Sequence, residues 1–539
     1  MEPEAVCPLS CRKGDEGRKM GLATAMNLGR LLTQTARRIP DAPALAWGDR
    51  SWSFAALDAR VDRLAQALRG LGVAKGDRVL VHSRNSNAMF ESLFACLKAG
   101  AVWVPTNYRL TPSEVAYLGA SSRAVVMLRD AGFAGHAAAV REASPHLRRV
   151  IAVGDASGDE RDYEALLAAT TPPPPDHEAE VAADDPCWFF YTSGTTGRPK
   201  AAVLTHGQMA FVVTNHLADL VPGTTERDAS LVVAPLSHGA GIHQLGQVAR
   251  GALTVLLRGD KLDPEEAWAL VARHRVTNMF TVPTILTALV RHAGVDRHDH
   301  ASLRHVIYAG APMYQADQAE ALARLGPCLV QYFGLGEVTG NITVLRPDQH
   351  TRENAGSCGV ARTGMDIAIL DERGARLPPG EIGEICVRGP AVFAGYFENE
   401  EANRTAFAGG WFHTGDLGLL DTRGFLFITG RASDMYISGG SNVYPREAEE
   451  AILTHPAVAE VAVVGLPHPK WGEAGIACVV CRDGASVEEA ALLAHLAPLL
   501  ARYKQPLRVV VWDALPKSGY GKVPKALIRA KLEELGIGF

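Results

Sequence analysis

The sequence predicts an α/β protein: a large N-terminal domain of stacked α/β layers with a small β subdomain, and a small α+β C-terminal domain. Three observations predict it. From Ser53 to Ala293 short apolar runs alternate with amphipathic stretches, the rhythm of βαβ units that build a parallel sheet. From Ile367 to Leu426 the rhythm changes to short alternating strands parted by turns such as Asp371 to Gly374 and Pro378 to Gly380. Beyond Gly430 a compact helix–strand pattern begins afresh. At 539 residues the chain exceeds what one core supports, so more than one domain is expected.

The elements follow in order. Ser53 is placed to N-cap a helix whose apolar face is Phe54, Leu57, Val61, Leu64 and Leu68, ended by Gly70 and Gly72. Arg78 to His82 reads as a strand, Ala88 to Lys98 as a helix and Ala101 to Pro105 as a second strand, one βαβ unit. Strands follow at Ala124 to Leu128 and Val150 to Val153, then a stiff spacer at Pro172 to Pro175. A second layer has strands at Ser230 to Pro235, Leu253 to Leu257, Asn278 to Val282 and His305 to Tyr308. Helices at Pro264 to His274 and Thr284 to Ala293 lie between them. The C-terminal unit reads as a helix at Pro445 to Thr454, a strand at Val458 to Leu466, another strand, and a helix at Val487 to Tyr503. Residues 1–25 lack the apolar stretch of a signal peptide and are expected to be a disordered tail; Met20 and Met26 are alternative starts.

Composition excludes several classes. A net charge of −5 offers no basic field for nucleic acid, and no apolar run is long enough for a membrane helix. Nine scattered cysteines suit free thiols in a reducing, cytoplasmic setting. Cys478 and Cys481 have zinc-like spacing but lie in an apolar strand with no second pair, and read as packing residues.

The chemistry concentrates in Tyr191 to Lys200, YTSGTTGRPK. Hydroxyls of Thr192, Ser193, Thr195 and Thr196 surround Gly194, with Gly197 and Lys200 behind. Glycines let successive N–H groups turn inward as an anion nest, and lysine adds a mobile positive charge. The pattern describes a triphosphate cradle entered from an apolar strand, Trp188 to Tyr191. It is no Walker loop, because Pro199 stands where a Walker helix would open.

This stretch resembles the phosphate loop of the adenylate-forming superfamily, which holds acyl-CoA synthetases, luciferases and peptide-synthetase adenylation domains. Further motifs resemble that family in order, from about Leu28 to Leu532. Gln331 to Gly340 is similar to its adenine-and-magnesium motif, which implies Tyr332, Phe333 and Gly334 for the nucleotide and Glu337, with Thr195, for Mg²⁺. Gly336 stands where the family usually has threonine. Trp411 to Gly418 resembles the ribose motif, implying Asp416 as ribose acceptor, with Arg431 beside it. Tyr308 to Pro312 resembles the loop between adenine and acyl group. That implies Gly310, Ala311 and Pro312 for the nucleotide, and Tyr308, Ala309 and Gly310 for the acyl substrate.

His238 and Gly239, after Pro235-Leu236-Ser237, resemble an acyl-pocket segment; a packed core histidine is the alternative. Gly239, Ala240, Gly241 and Gly336 together suggest a roomy apolar pocket. Gly439 and Gly440 match glycines past which pantetheine runs, and Trp471 is a further candidate contact for coenzyme A. Lys522 matches the catalytic lysine of adenylate formation, with Thr192 and Glu337 completing the expected catalytic set.

The resemblance implies an AMP-forming acyl-CoA synthetase that uses ATP, Mg²⁺ and coenzyme A to activate a fatty, alicyclic or aromatic acid. Its domains are expected at 26–430 and 436–539, turning on a hinge at 431–435 that contains Ser433. Its partners are expected to be small molecules, with no nucleic acid and no membrane span, and it admits a homodimer. Because no carrier domain follows Phe539, coenzyme A is the expected acceptor. Loading of a separate carrier protein is the alternative, and a degenerate nucleotide-binding protein is opposed by Glu337 and Lys522.

Overall fold

A computed structural model describes residues 26–192, 198–259, 261–311, 313–517 and 523–539. The βαβ rhythm produces two large sheets. In the first, seven strands run in the order Arg161–Asp162, Arg149–Ala152, Val126–Arg129, Arg78–His82, Val102–Pro105, Pro186–Thr192 and Lys200–Thr205. Every pair is parallel except the last, where Pro186–Thr192 turns back antiparallel onto Lys200–Thr205. Ser53 caps its helix as expected, accepting from the Ala56 N–H, and the helix runs Phe54–Gly70.

The second sheet has nine strands. Its parallel centre is Leu253–Leu256, Ala229–Val232, Asn278–Thr281, His305–Tyr308 and Leu329–Phe333. The sequence reading missed one edge, the hairpin of Pro43–Trp47 and Arg50–Ser53. It crosses from the start of the chain to lie parallel on Leu253–Leu256. A non-local pairing of this kind leaves no mark on local periodicity.

The change of rhythm after Ile367 is a four-stranded antiparallel meander of Asp366–Leu370, Gly383–Arg388, Phe412–Leu420 and Leu426–Arg431. The C-terminal unit has its own sheet and its own core around Tyr436, Val463, Ala477 and Leu496. One element there differs from expectation. The helix predicted over Val487 to Tyr503 spans only Glu489–Leu496, because Pro498 cannot donate to the helix and clashes with its preceding turn. Cys478 is buried in the strand Gly472–Cys481, and no disulfide occurs among the described residues.

A seam at Gly359 fixes the meander to the nine-stranded sheet. The Leu426 N–H donates to the Gly359 carbonyl at 2.8 Å, and the Cys358 N–H to the Leu426 carbonyl at 2.9 Å. Gly359 has φ +93°, and a Cβ there would lie 2.0 Å from the Val344 carbonyl oxygen. Gly359→Ala is therefore expected to combine left-handed strain with a backbone clash, a loss of about 2–5 kcal/mol. Gly374, at φ +79° with open space around it, is the comparison; Gly374→Ala carries the strain alone, about 1 kcal/mol. Thermal unfolding followed by circular dichroism checks the ranking, and equal shifts for the two variants would contradict it.

Candidate functional site

The phosphate-cradle motif is the connection of a β-hairpin. Thr192 ends one strand, Lys200 begins the next, and the two stand opposite each other in the register. A strand rather than a helix follows Pro199, which agrees with the exclusion of a Walker loop. Ser193, Gly194, Thr195, Thr196 and Gly197 lie outside the described residues, as do Pro312 and Lys522.

Strand alternation then divides the aromatic run. Phe189 and Tyr191 face the packing of the first sheet, where the Tyr191 hydroxyl pairs with Ser121 at 2.8 Å. Trp188 and Phe190 face the other way, and the Phe190 ring meets His238 edge-on at 5.3 Å between centroids. Thr192 shares that face. Its hydroxyl donates to Oε1 of Glu337 at 2.9 Å, bringing the cradle to the acidic residue of the adenine-and-magnesium motif.

Glu337 is only 5% exposed. A second hydroxyl, Tyr396, donates to the same Oε1 at 2.9 Å. Segment 394–397 places Tyr396 by joining the free edge of the hairpin: the Ala394 N–H donates to the Val203 carbonyl, the Val203 N–H to the Gly395 carbonyl, and the Phe397 N–H to the Ala201 carbonyl. Burial and the neighbouring carboxylate both push the Tyr396 phenol up, so it stays a donor at neutral pH. The Lys200 ammonium sits over the Tyr396 ring at 5.2 Å. Sequence reasoning missed Tyr396, since a tyrosine in FAGYF carries no motif chemistry until the hairpin edge is known.

The ribose motif is a bulged turn. Gly415 has φ +72°, and its N–H donates to Glu384 Oε1 at 3.0 Å. Glu384 Oε2 pairs with His413 Nδ1 at 2.8 Å, and Thr414 anchors to the Ile385 carbonyl at 2.7 Å. Asp416 emerges buried beside Arg431, with Nε to Oδ1 at 3.0 Å. The two expected ribose residues are thus brought together. Ser433 lies in an exposed turn where the Asp434 N–H donates to the Arg431 carbonyl at 3.0 Å. Gly439 and Trp471 also meet: the Gly439 N–H donates to the Trp471 carbonyl at 2.9 Å, and the exposed indole covers Gly439. Gly439 and Gly440 have φ +58° and +82°.

Gly310, at φ +81°, and Ala311 follow the strand His305–Tyr308 at the same end of the sheet as Phe333 and Gly334. Two further expected residues, Tyr308 and Tyr332, have side chains buried in the core. Tyr308 is fully buried, its hydroxyl donating to Gln331 and accepting from Gln318 at 2.6 Å, so its side chain is tied into the core behind the sheet. Alternate residues point to opposite faces, and Ala309 takes the other side, in the core with Ile307 and Val330. Tyr332 likewise points away from Phe333. It is 7% exposed, stacked on Phe280 and packed against His216 and Gly340. By the register that pairs Tyr308 with Gln331, Tyr332 shares the face of Ala309, and Phe333 takes the opposite one.

The roomy pocket inferred from Gly239, Gly241 and Gly336 is also corrected. A Cβ on Gly336 would lie 2.5 Å from the Phe190 ring, and one on Gly239 would lie 2.6 Å from the Phe280 ring. A Cβ on Gly241 would lie 2.1 Å from the Leu236 carbonyl oxygen. Protein atoms fill the space that these glycines leave. His238 is half-buried, with Nδ1 held 2.8 Å from the Ser237 hydroxyl, just before the helix Gly239–Arg250.

Comparison with known proteins agrees with this geometry. Residues 32–397 match the family described as AMP-binding enzyme, and 447–522 match the AMP-binding enzyme C-terminal domain. A feruloyl-CoA synthase of an Amycolatopsis species is 39% identical over 94% of this chain and 99% of the relative. A medium/long-chain-fatty-acid–CoA ligase, FadD8 of Mycobacterium tuberculosis, is 34% identical over 94% and 90%. Among solved structures, ATP-bound MatB from Rhodopseudomonas palustris superposes with a TM-score of 0.84 at 31% identity, over 95% of this chain and 100% of that one. The anthranilate CoA ligase AuaEII with anthranoyl-AMP gives 0.86 at 26% identity, over 94% and 97%.

Removing the Tyr396 hydroxyl takes one of two donors from a buried carboxylate. Hydrogen bonds to charged groups are worth about 1.5–3 kcal/mol, so Tyr396→Phe is expected to slow adenylate formation roughly ten- to hundredfold. It should also raise the Mg²⁺ concentration needed for half-maximal rate. Pyrophosphate release across a Mg²⁺ titration measures both, and an unshifted Mg²⁺ dependence would remove Tyr396 from this role.

Proposed function

The chain belongs to the AMP-binding enzyme family, as an AMP-forming acid–thiol ligase. On that premise we propose that it activates a fatty, alicyclic or aromatic carboxylic acid as its acyl-adenylate and passes the acyl group to coenzyme A. The observation that supports this best is the convergence of Thr192, Tyr396 and Glu337 at the mouth of the cradle hairpin.

A carboxylate is a poor acyl donor, and joining it to AMP supplies a good leaving group. Thr192, Lys200 and the intervening loop 193–197 bind the departing pyrophosphate, and donors aimed at developing charge are the largest usual contribution to such a step. Glu337 suits a hard cation: Oε1 is held by two hydroxyls, and Oε2 has no hydrogen bond among the described residues. A Mg²⁺ ion held there would supply charge neutralisation at the phosphates. Phe333 and Gly310 to Pro312 border the adenine, and Asp416 accepts from the ribose hydroxyls with Arg431 alongside. Lys522 positions the carboxylate against the α-phosphate, converting an encounter into a local reaction.

The unit at 436–539 then turns about 431–435 relative to 26–430. That motion withdraws Lys522 and brings Gly439, Gly440 and Trp471 to the adenylate, where the thiol attacks. The free cysteines of the described residues suit a cytoplasmic setting.

Incubation with ATP, Mg²⁺, coenzyme A and a panel of acids tests the reading by product analysis. A thioester supports it. Adenylate that accumulates until a carrier protein is supplied would replace coenzyme A as acceptor, and absence of pyrophosphate would end it. Lys522→Ala is expected to abolish adenylate formation while sparing thioester formation from preformed acyl-AMP; equal loss of both half-reactions would refute the assignment. Asp416→Ala is expected to weaken ATP binding, each lost charge-assisted bond being worth about 1.5–3 kcal/mol. Calorimetry with ATP and 2′-deoxy-ATP checks this, since a true ribose acceptor loses its preference between them.

A further inference from the structure

We propose that Glu384, Cys386 and His413 form a binding site for a zinc-class divalent cation, on the antiparallel meander beside the turn at Gly415. The site serves no step of the ligase reading and does not depend on it.

The strand register builds the cluster. Glu384 and Cys386 are two apart on the strand Gly383–Arg388 and share a face, since side chains alternate. His413 stands opposite Cys386 on the neighbouring strand Phe412–Leu420. The pairing then steps to Leu417 opposite Glu384, and the bulge between includes Thr414 and Gly415. Sγ of Cys386 lies 3.4 Å from Nδ1 of His413, and Nδ1 lies 2.8 Å from Oε2 of Glu384. All three ligand atoms are within 4.8 Å of one another. A tetrahedral zinc ion, with bonds of about 2.3 Å to sulfur and about 2.0–2.2 Å to nitrogen and oxygen, needs ligand atoms roughly 3.3–3.6 Å apart. The sulfur–nitrogen edge already has that length, and the nitrogen–oxygen edge must open by about half an ångström.

Thiolate, imidazole and carboxylate together select zinc-class ions over the hard Mg²⁺. Two of the ligands are also held from behind, as metal ligands usually are. His413 Nε2 donates to the Ala408 carbonyl at 3.1 Å, which turns Nδ1 toward the other two. Glu384 keeps Oε1 on the Gly415 N–H at 3.0 Å, leaving Oε2 for the ion. Cys386 is fully buried against Ala368 and Leu370, whereas the Glu384 and His413 side chains are 30% and 23% exposed, so an ion enters from their side. Arg388, two residues beyond Cys386, is engaged elsewhere: its guanidinium is 2.8 Å from Asp366 and lies over Trp411 at 4.4 Å. A carboxylate can only accept, so the contact between Nδ1 and Oε2 holds a proton that the ion replaces. On binding, zinc takes lone pairs from Sγ, Nδ1 and Oε2. That proton and the thiol proton leave to solvent, water fills the fourth position, and no electrons are exchanged. Because Glu384 also holds Gly415, a bound ion stiffens the turn that carries Asp416 and opposes unfolding by linkage.

The test titrates the full-length protein, stripped of metal by dialysis against a chelator, with Co²⁺ and Zn²⁺ and with no substrate present. Stoichiometric Co²⁺ is expected to give a thiolate charge-transfer band that Zn²⁺ removes and excess Mg²⁺ does not. Zn²⁺ is expected to raise the midpoint of thermal unfolding. Cys386→Ser should abolish the band. His413→Gln should weaken Zn²⁺ binding by more than the roughly 10–100-fold that loss of an outer-shell partner costs. Cys478→Ser, in the separate C-terminal sheet, should leave band and affinity unchanged. Anomalous diffraction from crystals of the unaltered protein soaked in Zn²⁺ locates the ion without a variant, should a substitution prevent folding. An ion found only elsewhere than between Glu384, Cys386 and His413, a band that survives Cys386→Ser, or no thiolate band at all would overturn the site.

Discussion

The Glu337 carboxylate is the constraint on which the site depends. Burying a carboxylate without partners is costly, and Glu337 is nearly enclosed. Its two donors are 145 residues before it and 59 after it, so neither exists near Glu337 until the hairpin and its added edge segment have formed. The Glu337 backbone carbonyl also accepts from the Phe393 N–H at 2.8 Å, which fixes the same segment from the other side. First sheet, second sheet and the edge segment therefore meet at one acidic side chain. Chemistry at that point inherits the rigidity of all three.

Glycine has two opposed uses around this centre. At Gly415 and Gly440 positive φ lets the chain turn tightly, with open space around each. At Gly239, Gly336 and Gly340 the missing Cβ is occupied by a ring of the same protein. Letter by letter the two kinds are identical. Gly336, where a threonine would be usual, is explained by the Phe190 ring already lying against it. A larger residue at one position and a smaller one at the other keep the local volume, the exchange that close-packed interiors tolerate best.

How much was legible in the sequence follows from how local each cause is. The helix capped by Ser53 and the strands Arg78–His82 and His305–Tyr308 are set by residues within a few positions, and periodicity located them. The meeting of Thr192 with Glu337 was legible only as two motifs in order, since their contact spans the two sheets. Tyr396 was invisible because its role arises from an edge pairing. The faces that Tyr308 and Tyr332 take, opposite ones, were not legible for a simpler reason. A motif gives position along a strand, whereas the face is set by the parity of the register, and a one-residue step reverses it.

The contact between Asp416 and Arg431 joins the turn at Gly415 to the end of the neighbouring strand Leu426–Arg431. Asp416 is enclosed, but the Arg431 side chain is 45% exposed. A pair screened that well is worth at most about 1 kcal/mol, too little to lock either partner. The Asp416 turn does not depend on it, because Glu384, His413 and Thr414 hold that turn from the neighbouring strand. Arg431, by contrast, is the residue whose carbonyl accepts from both Asp434 and Met435, and so opens the turn containing Ser433. A rigid acceptor thus faces a weakly held cation at the first residue of the connection. Any adjustment of this pair therefore falls on Arg431, which opens the turn containing Ser433, while Asp416 stays fixed by its own turn.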